Sequence, residues 1–139
     1  MGGVFTRGVI ENVARKQQIN DFRDLRWGNT TPTDIDGVIE YHGKAYAVLE
    51  IKYADTEVKY GQRLCLERMI QDFGCRKQAV AAIIEHYVHD TGESVPIGQC
   101  KVREIYLSSE CRWRPPVRDV TTQELLDSFF DFVDRKIAM

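Results

Sequence analysis

The chain has 139 residues, of which 19 are lysine or arginine and 21 are aspartate or glutamate, so its formal net charge at neutral pH is −2. With 43% hydrophobic and 29% charged residues, this balance excludes a disordered chain and predicts one globular domain over residues 1–139. No apolar run approaches the roughly 20 residues that a membrane helix needs, and no signal-peptide core follows Met1, so we expect a cytoplasmic protein without a membrane partner.

Hydrophobic periodicity predicts, in chain order, a helix, a two-stranded hairpin, a second helix, two further strands and a last helix. Gly74 is expected to end the second helix in the left-handed conformation, and Thr121-x-x-Glu124 is a capping box that begins the last helix. This order favours an α/β fold in which helices flank a mixed central sheet. The predicted bounds are helix 4–20, an irregular link over 21–32 with a short strand as the alternative around 22–27, strands 33–41 and 44–53, helix 58–73, strand 78–85, a polar loop over 87–99, strand 100–107, a short extended run at 111–114 and a helix from Thr121 onward.

Acidic side chains stand in the two strands expected to form the core, in the stretch TDIDGVIEYHGKAYAVLEIK at residues 33–52. Side chains alternate along a strand, so Asp34 and Asp36 share one face, and Glu50 and Lys52 share one face. The register between the strands decides whether these two faces coincide, because a shift by one residue moves every side chain to the opposite side.

The loop between the two strands sets this register. A two-residue loop at His42-Gly43 would mix charged and aliphatic side chains on both faces of the hairpin. A three-residue loop, over either 41–43 or 42–44, would instead gather the acids and the lysine on one face and the aliphatic side chains on the core face. We therefore predict a loop of odd length or a β-bulge.

Three carboxylates beside one lysine are unfavourable without a cation, because like charges repel. Mg²⁺ prefers hard oxygen ligands, needs only one or two carboxylates and keeps bound water for chemistry. A lysine two residues along the strand can hold or activate a water molecule beside that metal. These residue types therefore predict metal-assisted hydrolysis of a phosphodiester.

Asp36, the apolar hairpin that follows it and Glu50-Ile51-Lys52 resemble the signature of the PD-(D/E)xK nuclease superfamily, over about residues 33–86. The resemblance implies a restriction-endonuclease-like mixed sheet, and the chain is similar in style to small phage or prophage nucleases. It also implies that Asp36 and Glu50 bind Mg²⁺, or Mn²⁺, together with the Ile51 carbonyl. Lys52 would then position or deprotonate the attacking water.

The same resemblance implies further site residues. Either Asp34 or Asp36 can stand for the aspartate of the signature, so the main metal ligand stays open between them. Glu11, on the predicted first helix, corresponds to an acid that completes the metal shell in members of the family. Gln62 falls where related nucleases place a polar helix residue facing the site. The alternative for both Glu11 and Gln62 is a solvated position on the surface of an amphipathic helix.

Arginines and tryptophans near both ends of the chain are the predicted contacts to DNA, the substrate that the resemblance implies. Arginine binds phosphates, and tryptophan stacks on unpaired bases. The alternative is a buried tryptophan among solvated arginines. The resemblance also adds a homodimer to the candidate assemblies, because resolvases of this superfamily dimerise. The predicted contact residues are Arg23, Arg26, Arg112, Trp113, Arg114 and Arg118.

Two rival functions share this sequence pattern. The first is a catalytically inactive nuclease fold that binds nucleic acid or a protein partner, and its mark would be acids that fail to converge. The second is an enzyme that applies the same chemistry to RNA.

Overall fold

The computed structural model describes residues 5–6, 9–10 and 21–138, which belong to two compact units, Met1–Pro32 and Thr33–Met139. In the first unit, β1 (Phe5–Thr6) pairs antiparallel with β2 (Val9–Ile10). The helix predicted over 4–20 is therefore wrong at these positions, where aromatic and β-branched residues favour strands. Residues 11–20 of that prediction lie outside the described part of the chain.

The link over residues 21–32 is irregular, as predicted. Its regular feature is a tight turn in which the backbone groups of Trp27 and Thr30 exchange two hydrogen bonds of 2.9 Å. Gly28 lies between them with a φ of +63°, a conformation that glycine adopts without steric strain.

A five-stranded mixed sheet forms the second unit and confirms the predicted α/β class. Its spatial order is β3-β4-β5-β6-β7, for the strands Gly37–Tyr41, Ala45–Tyr53, Gln78–His86, Lys101–Leu107 and Trp113–Arg114. Strands β4 and β5 run parallel, and the other neighbouring pairs are antiparallel. A parallel pair needs a crossover, which α1 (Tyr60–Phe73) supplies. A 3-10 turn (Ile97–Gln99) precedes β6, and α2 (Thr122–Ala138) ends the described chain.

Two apolar layers pack against the sheet, one on each face. On one face Phe129 and Val133 of α2 belong to the core, and on the other face Leu66 and Ile70 of α1 cover the strands. Residues 79–84 of β5 are buried, as expected for a continuous apolar strand covered from both sides. Within the described residues, no helix is long and apolar enough to cross a membrane.

The sequence predicts the conformation of two helix ends, and the structure confirms one of these predictions. The capping box is confirmed, because the Glu124 N–H donates to Thr121 Oγ1 at 3.1 Å and the Thr121 N–H donates to Glu124 Oε1 at 3.0 Å. The prediction that Gly74 adopts the left-handed conformation is wrong, because its φ is −68°. A β-carbon on Gly74 would lie 2.5 Å from the Ser108 β-carbon, so glycine is needed here for close packing of the backbone.

The hairpin loop between β3 and β4 contains three residues, His42–Lys44, because Tyr41 pairs with Ala45. The odd loop length is thus confirmed. His42 and Gly43 have φ values of +51° and +70°, and the Lys44 N–H donates to the Tyr41 carbonyl at 2.8 Å. This is one of the two three-residue loops that put the polar residues of the hairpin on one face.

The first strand of the hairpin is shorter than predicted. It begins at Gly37 and not at residue 33, so Asp34 and Asp36 lie in the segment before the strand. The Asp36 carboxylate accepts a hydrogen bond of 2.7 Å from the Ile51 N–H, and a side chain thus takes the place of a backbone partner. Ile35, expected on the core face, is 40% exposed.

Candidate active site

The polar site lies on the face of the sheet that α1 covers. Glu50 and Lys52 alternate with Leu49 and Ile51 along β4, and the two aliphatic residues point toward the α2 layer. Gly37 pairs with Leu49 at the start of β3, and Asp36 comes one residue before this pair. The Asp36 carboxylate reaches the Ile51 N–H, and the charges of Asp36 and Asp34 both act on the Glu50 carboxyl group.

Three side chains close a hydrogen-bonded ring in this site. Lys52 Nζ lies 3.3 Å from Glu50 Oε1 and donates to Gln62 Oε1 at 3.2 Å. Gln62 Nε2 donates to the same Glu50 oxygen at 3.3 Å. An amide side chain can complete this ring because it carries both a donor and an acceptor. Helix α1 thus holds the ends of Glu50 and Lys52 in a defined arrangement.

Glu50 is a carboxylate with unfavourable surroundings for its charge. It is 4% exposed, and burial is the main reason why its pKa lies above the usual range for glutamate. The charges of Asp36 and Asp34 raise this pKa further, whereas the hydrogen bond and charge of Lys52 lower it. A cation placed between the two strands would relieve the repulsion between the acids.

The backbone of Ile51 faces the same acids. Its N–H donates to Asp36 Oδ2 at 2.7 Å, so this peptide edge is turned toward the segment before β3. The N–H and C=O of one residue in a strand point to the same neighbouring strand. The Ile51 carbonyl therefore projects toward Asp36 as well, and it adds a neutral oxygen to those of the carboxylates.

The oxygen donors of this site suit Mg²⁺ better than a softer metal. Asp36, Glu50 and the Ile51 carbonyl offer only hard oxygens, and Mg²⁺ takes one or two carboxylates and fills its remaining positions with water. Among the residues that the structure describes, no three histidine, cysteine or carboxylate side chains are close enough to hold a metal ion. Two carboxylates and one carbonyl would leave the other positions around a bound Mg²⁺ to water. Glu11 lies outside the described residues.

Two ion pairs on this face were missing from the sequence analysis. Arg63, which follows Gln62 in α1, pairs with Glu104 of β6, and its guanidinium lies 5.0 Å from the centre of the Trp113 ring. Glu104 pairs with Ile83 in register, as does Glu50 from the opposite strand. The two glutamates thus lie in one row across the sheet.

The second ion pair fixes the connection between β4 and α1. Arg103 Nε donates to Glu85 at 3.2 Å, and the other guanidinium nitrogens donate to the carbonyls of Thr56 at 2.8 Å and Ala54 at 2.7 Å. The ladder between β5 and β6 shifts register between Ile83 and Ile84, which breaks the regular alternation around Arg103. A bulge leaves no periodic pattern in the sequence. The contacts of Arg103 could therefore not be predicted from hydrophobic periodicity.

The predicted DNA contacts near the C-terminus divide between the two faces of the sheet. Trp113 pairs in register with Tyr106 on the α1 face, and its Nε1 donates to Glu67 at 2.8 Å. Arg114 alternates to the α2 face, where it pairs with Glu110 at 2.7 Å. Trp113 is thus held by protein contacts, and it does not form one surface with Arg114.

The remaining predicted arginines are exposed. Arg112 and Arg118 flank the short strand β7, at the sheet edge opposite β3. In the first unit, Arg23 makes a hydrogen-bonded ion pair of 2.7 Å with Asp21. Arg26 lines a shallow depression of about 500 Å³ together with Arg23.

Comparison of the chain with protein-family models, with curated proteins and with solved structures gave no significant match.

Proposed function

We propose that the chain is a Mg²⁺-dependent nuclease that hydrolyses DNA phosphodiester bonds, with a restriction-endonuclease-like arrangement of its mixed sheet. The observation that carries this proposal is the buried Glu50 carboxylate, which contacts Lys52 and Gln62 and is repelled by the charge of Asp36. A buried acid that is repelled by a neighbouring acid weakens the fold, and such perturbed groups cluster at functional sites.

Each residue of the site has a role in this proposal. Asp36, Glu50 and the Ile51 carbonyl would hold Mg²⁺ or Mn²⁺, and Asp34 is close enough to influence the charge of Glu50. When bound, the metal supplies a Lewis acid for the phosphoryl oxygen and lowers the pKa of a coordinated water. Lys52 offers three N–H donors, of which Glu50 and Gln62 use two, so one donor can hold the attacking water.

The proposed reaction is a simple displacement at phosphorus. The water oxygen forms a bond to phosphorus, the bond from phosphorus to the 3′ oxygen breaks, and the water proton passes to solvent. The products are a 5′-phosphate and a 3′-hydroxyl, the ends that the resemblance to PD-(D/E)xK nucleases implies. Gln62 positions Lys52 during this step, because its amide oxygen accepts from the ammonium group.

A cleavage assay tests this function on supercoiled, linear, branched and single-stranded DNA, with Mg²⁺, Mn²⁺ or EDTA. We expect metal-dependent cutting that falls by about 100-fold or more in Lys52→Ala, the usual range for loss of a group that assists proton transfer. Glu50→Gln should fall comparably, because it loses a carboxylate of the proposed metal shell. Lys101→Ala is the matched control, because this exposed lysine also lies on the sheet, in an ion pair with Asp119. Cutting that persists in both site variants would refute the proposal.

A second candidate is a nuclease-like module without activity that binds nucleic acid or a protein partner. It is favoured by two observations: the described residues hold no three-ligand cluster, and Asp36 is occupied by the Ile51 N–H. Titration calorimetry with Mg²⁺ separates the two candidates. Heat of binding that Glu50→Gln abolishes supports the nuclease, and its absence in the wild type together with no cutting of DNA or RNA supports the module.

A further inference from the structure

One side of α1 carries polar residues that contact β6 and β7. Arg63 pairs with Glu104 of β6, and its guanidinium carbon lies 5.0 Å from the centre of the Trp113 ring in β7. One turn later, Glu67 accepts a hydrogen bond of 2.8 Å from Trp113 Nε1. Residues four apart lie on one side of a helix, so these contacts hold that side of α1 to the two strands. We call Arg63, Glu67, Glu104 and Trp113 the polar clamp.

The neighbouring side of α1 begins with Gln62. Leu66 and Ile70, four and eight positions later, are buried against the sheet. Gln62 takes the first place in this row, and its side-chain amide bonds to the two charged residues of β4 at 3.3 and 3.2 Å. Because Gln62 and Arg63 are consecutive in the helix, any roll of the first turn that releases Arg63 also moves Gln62. The polar clamp and the hydrogen-bonded ring are therefore contacts of the same helical turn.

The first turn of α1 has few other features that stabilise it. The residue before the helix makes no side-chain capping bond, and the turn contains no acidic side chain. Gly61 lies in this turn and favours a helix less than any residue except proline. The nearest buried apolar side chains are those of Val58 and Leu66, which lie before and after the turn. Among the described contacts, the polar clamp is thus the main support of this turn beyond the ring itself.

We propose that Arg63 and Trp113 are positioning residues, which keep the first turn of α1 on the sheet and thereby hold Gln62 within the hydrogen-bonded ring. Arg63 supplies a planar cation, and Trp113 supplies both a ring face for that cation and a donor for Glu67. The effect on cutting rests on the proposed function, because Gln62 binds the lysine that would place the attacking water. The effect on the helical turn does not depend on any reaction.

A direct contact between Arg63 and a DNA phosphate would be a different role for the same residue. Arg63 lines a depression of about 520 Å³, and Asp55 and Glu57, which repel phosphates, line it as well. Gly61→Ala distinguishes the two roles. It strengthens the first turn through helix propensity, meets no atom within 4 Å and adds no group that binds phosphate.

Amide hydrogen exchange followed by NMR in EDTA tests the polar clamp without any cutting. The amides of residues 64–66 report on the first turn, because their helical bonds end on the carbonyls of residues 60–62. We expect their exchange to be about 10-fold faster or more in Arg63→Met and in Trp113→Phe, since each variant loses a bond that involves a charged group. Adding Gly61→Ala to Arg63→Met should restore part of the protection.

Gln71→Met is the matched control. Gln71 Nε2 donates to the Tyr106 hydroxyl at 2.7 Å, so this variant also removes a bond between α1 and the sheet, but more than two turns after Gln62. Exchange of the first-turn amides should stay unchanged in this control. Unchanged exchange in Arg63→Met, or equal acceleration in Gln71→Met, would overturn the polar clamp even if the protein cuts DNA.

The cleavage assay gives a second, independent measurement. Arg63→Met should lower kcat by about 10- to 100-fold, as misplacement of a catalytic group does, with an unchanged KM for DNA. Gly61→Ala should then restore part of kcat. A raised KM that Gly61→Ala does not correct would overturn the positioning role and assign Arg63 to DNA binding. Faster exchange in variants of a protein that cuts nothing would support the polar clamp and refute the nuclease.

Discussion

Lys52 and Glu50 form an ion pair that is almost closed to solvent, with 3.3 Å between Nζ and Oε1 and side-chain exposures of 16% and 5%. Gln62 is the other side chain bound to both of them. A buried charge weakens the fold unless it has partners of opposite charge or hydrogen bonds. The Lys52–Glu50 pair therefore links the stability of the protein to its proposed chemistry.

Removing the lysine should destabilise the protein in the absence of metal. Lys52→Met leaves the Glu50 carboxylate buried without its cation, which we expect to lower the free energy of unfolding by about 1–3 kcal/mol. The double variant Lys52→Met/Glu50→Gln should regain most of this loss, because no charge remains to be compensated. Urea denaturation in EDTA measures both changes. Equal stability of Lys52→Met and wild type would mean that the pair contributes nothing to the fold.

Mg²⁺ should stabilise the wild type against heat, because a ligand that binds only the folded state shifts the unfolding equilibrium. The increase in Tm should disappear in Glu50→Gln and in Asp36→Asn, which each lose one carboxylate of the proposed shell. Glu110→Gln is the control, since this exposed acid pairs with Arg114. Differential scanning fluorimetry at several Mg²⁺ concentrations gives the measurement, and an identical shift in all four proteins would point to non-specific binding.

Alanine substitutions of Gly61, within α1, and of Gly74, at its end, should change the free energy of unfolding in opposite directions. Gly74→Ala places a β-carbon 2.5 Å from the Ser108 β-carbon, so we expect a loss of about 1–3 kcal/mol from forced movement of the packed backbone. Gly61→Ala meets no atom within 4 Å and should gain up to about 1 kcal/mol through helix propensity. Chemical denaturation of both variants compares them directly. A tolerated Gly74→Ala would contradict the close approach of the helix end to Ser108.

The contact between Asp134 and Tyr41 should make stability depend on pH. Tyr41 donates to Asp134 at 2.6 Å, and this bond, followed by the one from Lys44, lowers the pKa of Asp134. Because the folded pKa is below the unfolded value of roughly 3.9, the contribution is complete above that value. It is lost as the pH falls through the lowered pKa.

The same hydrogen bond raises the pKa of Tyr41, so its contribution is complete below roughly pH 10 and is lost as the pH rises through the raised value. Asp134→Asn should flatten both ends of the stability profile, with the acid end measured by urea denaturation between about pH 2 and 6. An unchanged acid slope in Asp134→Asn would rule out this contact as its source.

Arg103→Lys should loosen the connection between β4 and α1 while keeping a positive charge beside Glu85. Lysine cannot reproduce the planar fork that binds the Ala54 and Thr56 carbonyls. We expect faster amide hydrogen exchange over residues 54–60 and unchanged exchange in the centre of β5. Equal protection in both proteins would show that the loop is held by other contacts.

Much of this architecture follows from sequence because its patterns are local. The loop length came from alternation along the hairpin, the apolar run of β5 indicated a strand buried on both faces, and the capping box at Thr121 marks its helix within one residue. Glu50 and Lys52 share a face because side chains alternate along β4. These features depend on residues that are close in the chain or in one strand pair.

The missed features depend on contacts between distant segments. The requirement for glycine at position 74 arises from Ser108, and the role of Arg103 arises from carbonyls about 50 positions earlier in the chain. Trp113 and Arg114 looked like one basic aromatic cluster, but strand alternation separates them. Whether the protein dimerises, and whether it acts on DNA or RNA, stay predictions from the sequence resemblance.

The bonds from Arg103 to Ala54 and Thr56 also set an order of events during synthesis of the protein. When the ribosome has released the segment up to His86, the hairpin, α1 and β5 are all present, but the residue that holds their connection has not yet been made. Ala54 has a φ of +51°, a strained conformation for alanine; its N–H donates to the His86 carbonyl at 2.7 Å, and its own carbonyl accepts from Arg103. The connection between β4 and α1 should therefore gain its last contacts only after β6 emerges, so that its backbone is fully held late in synthesis.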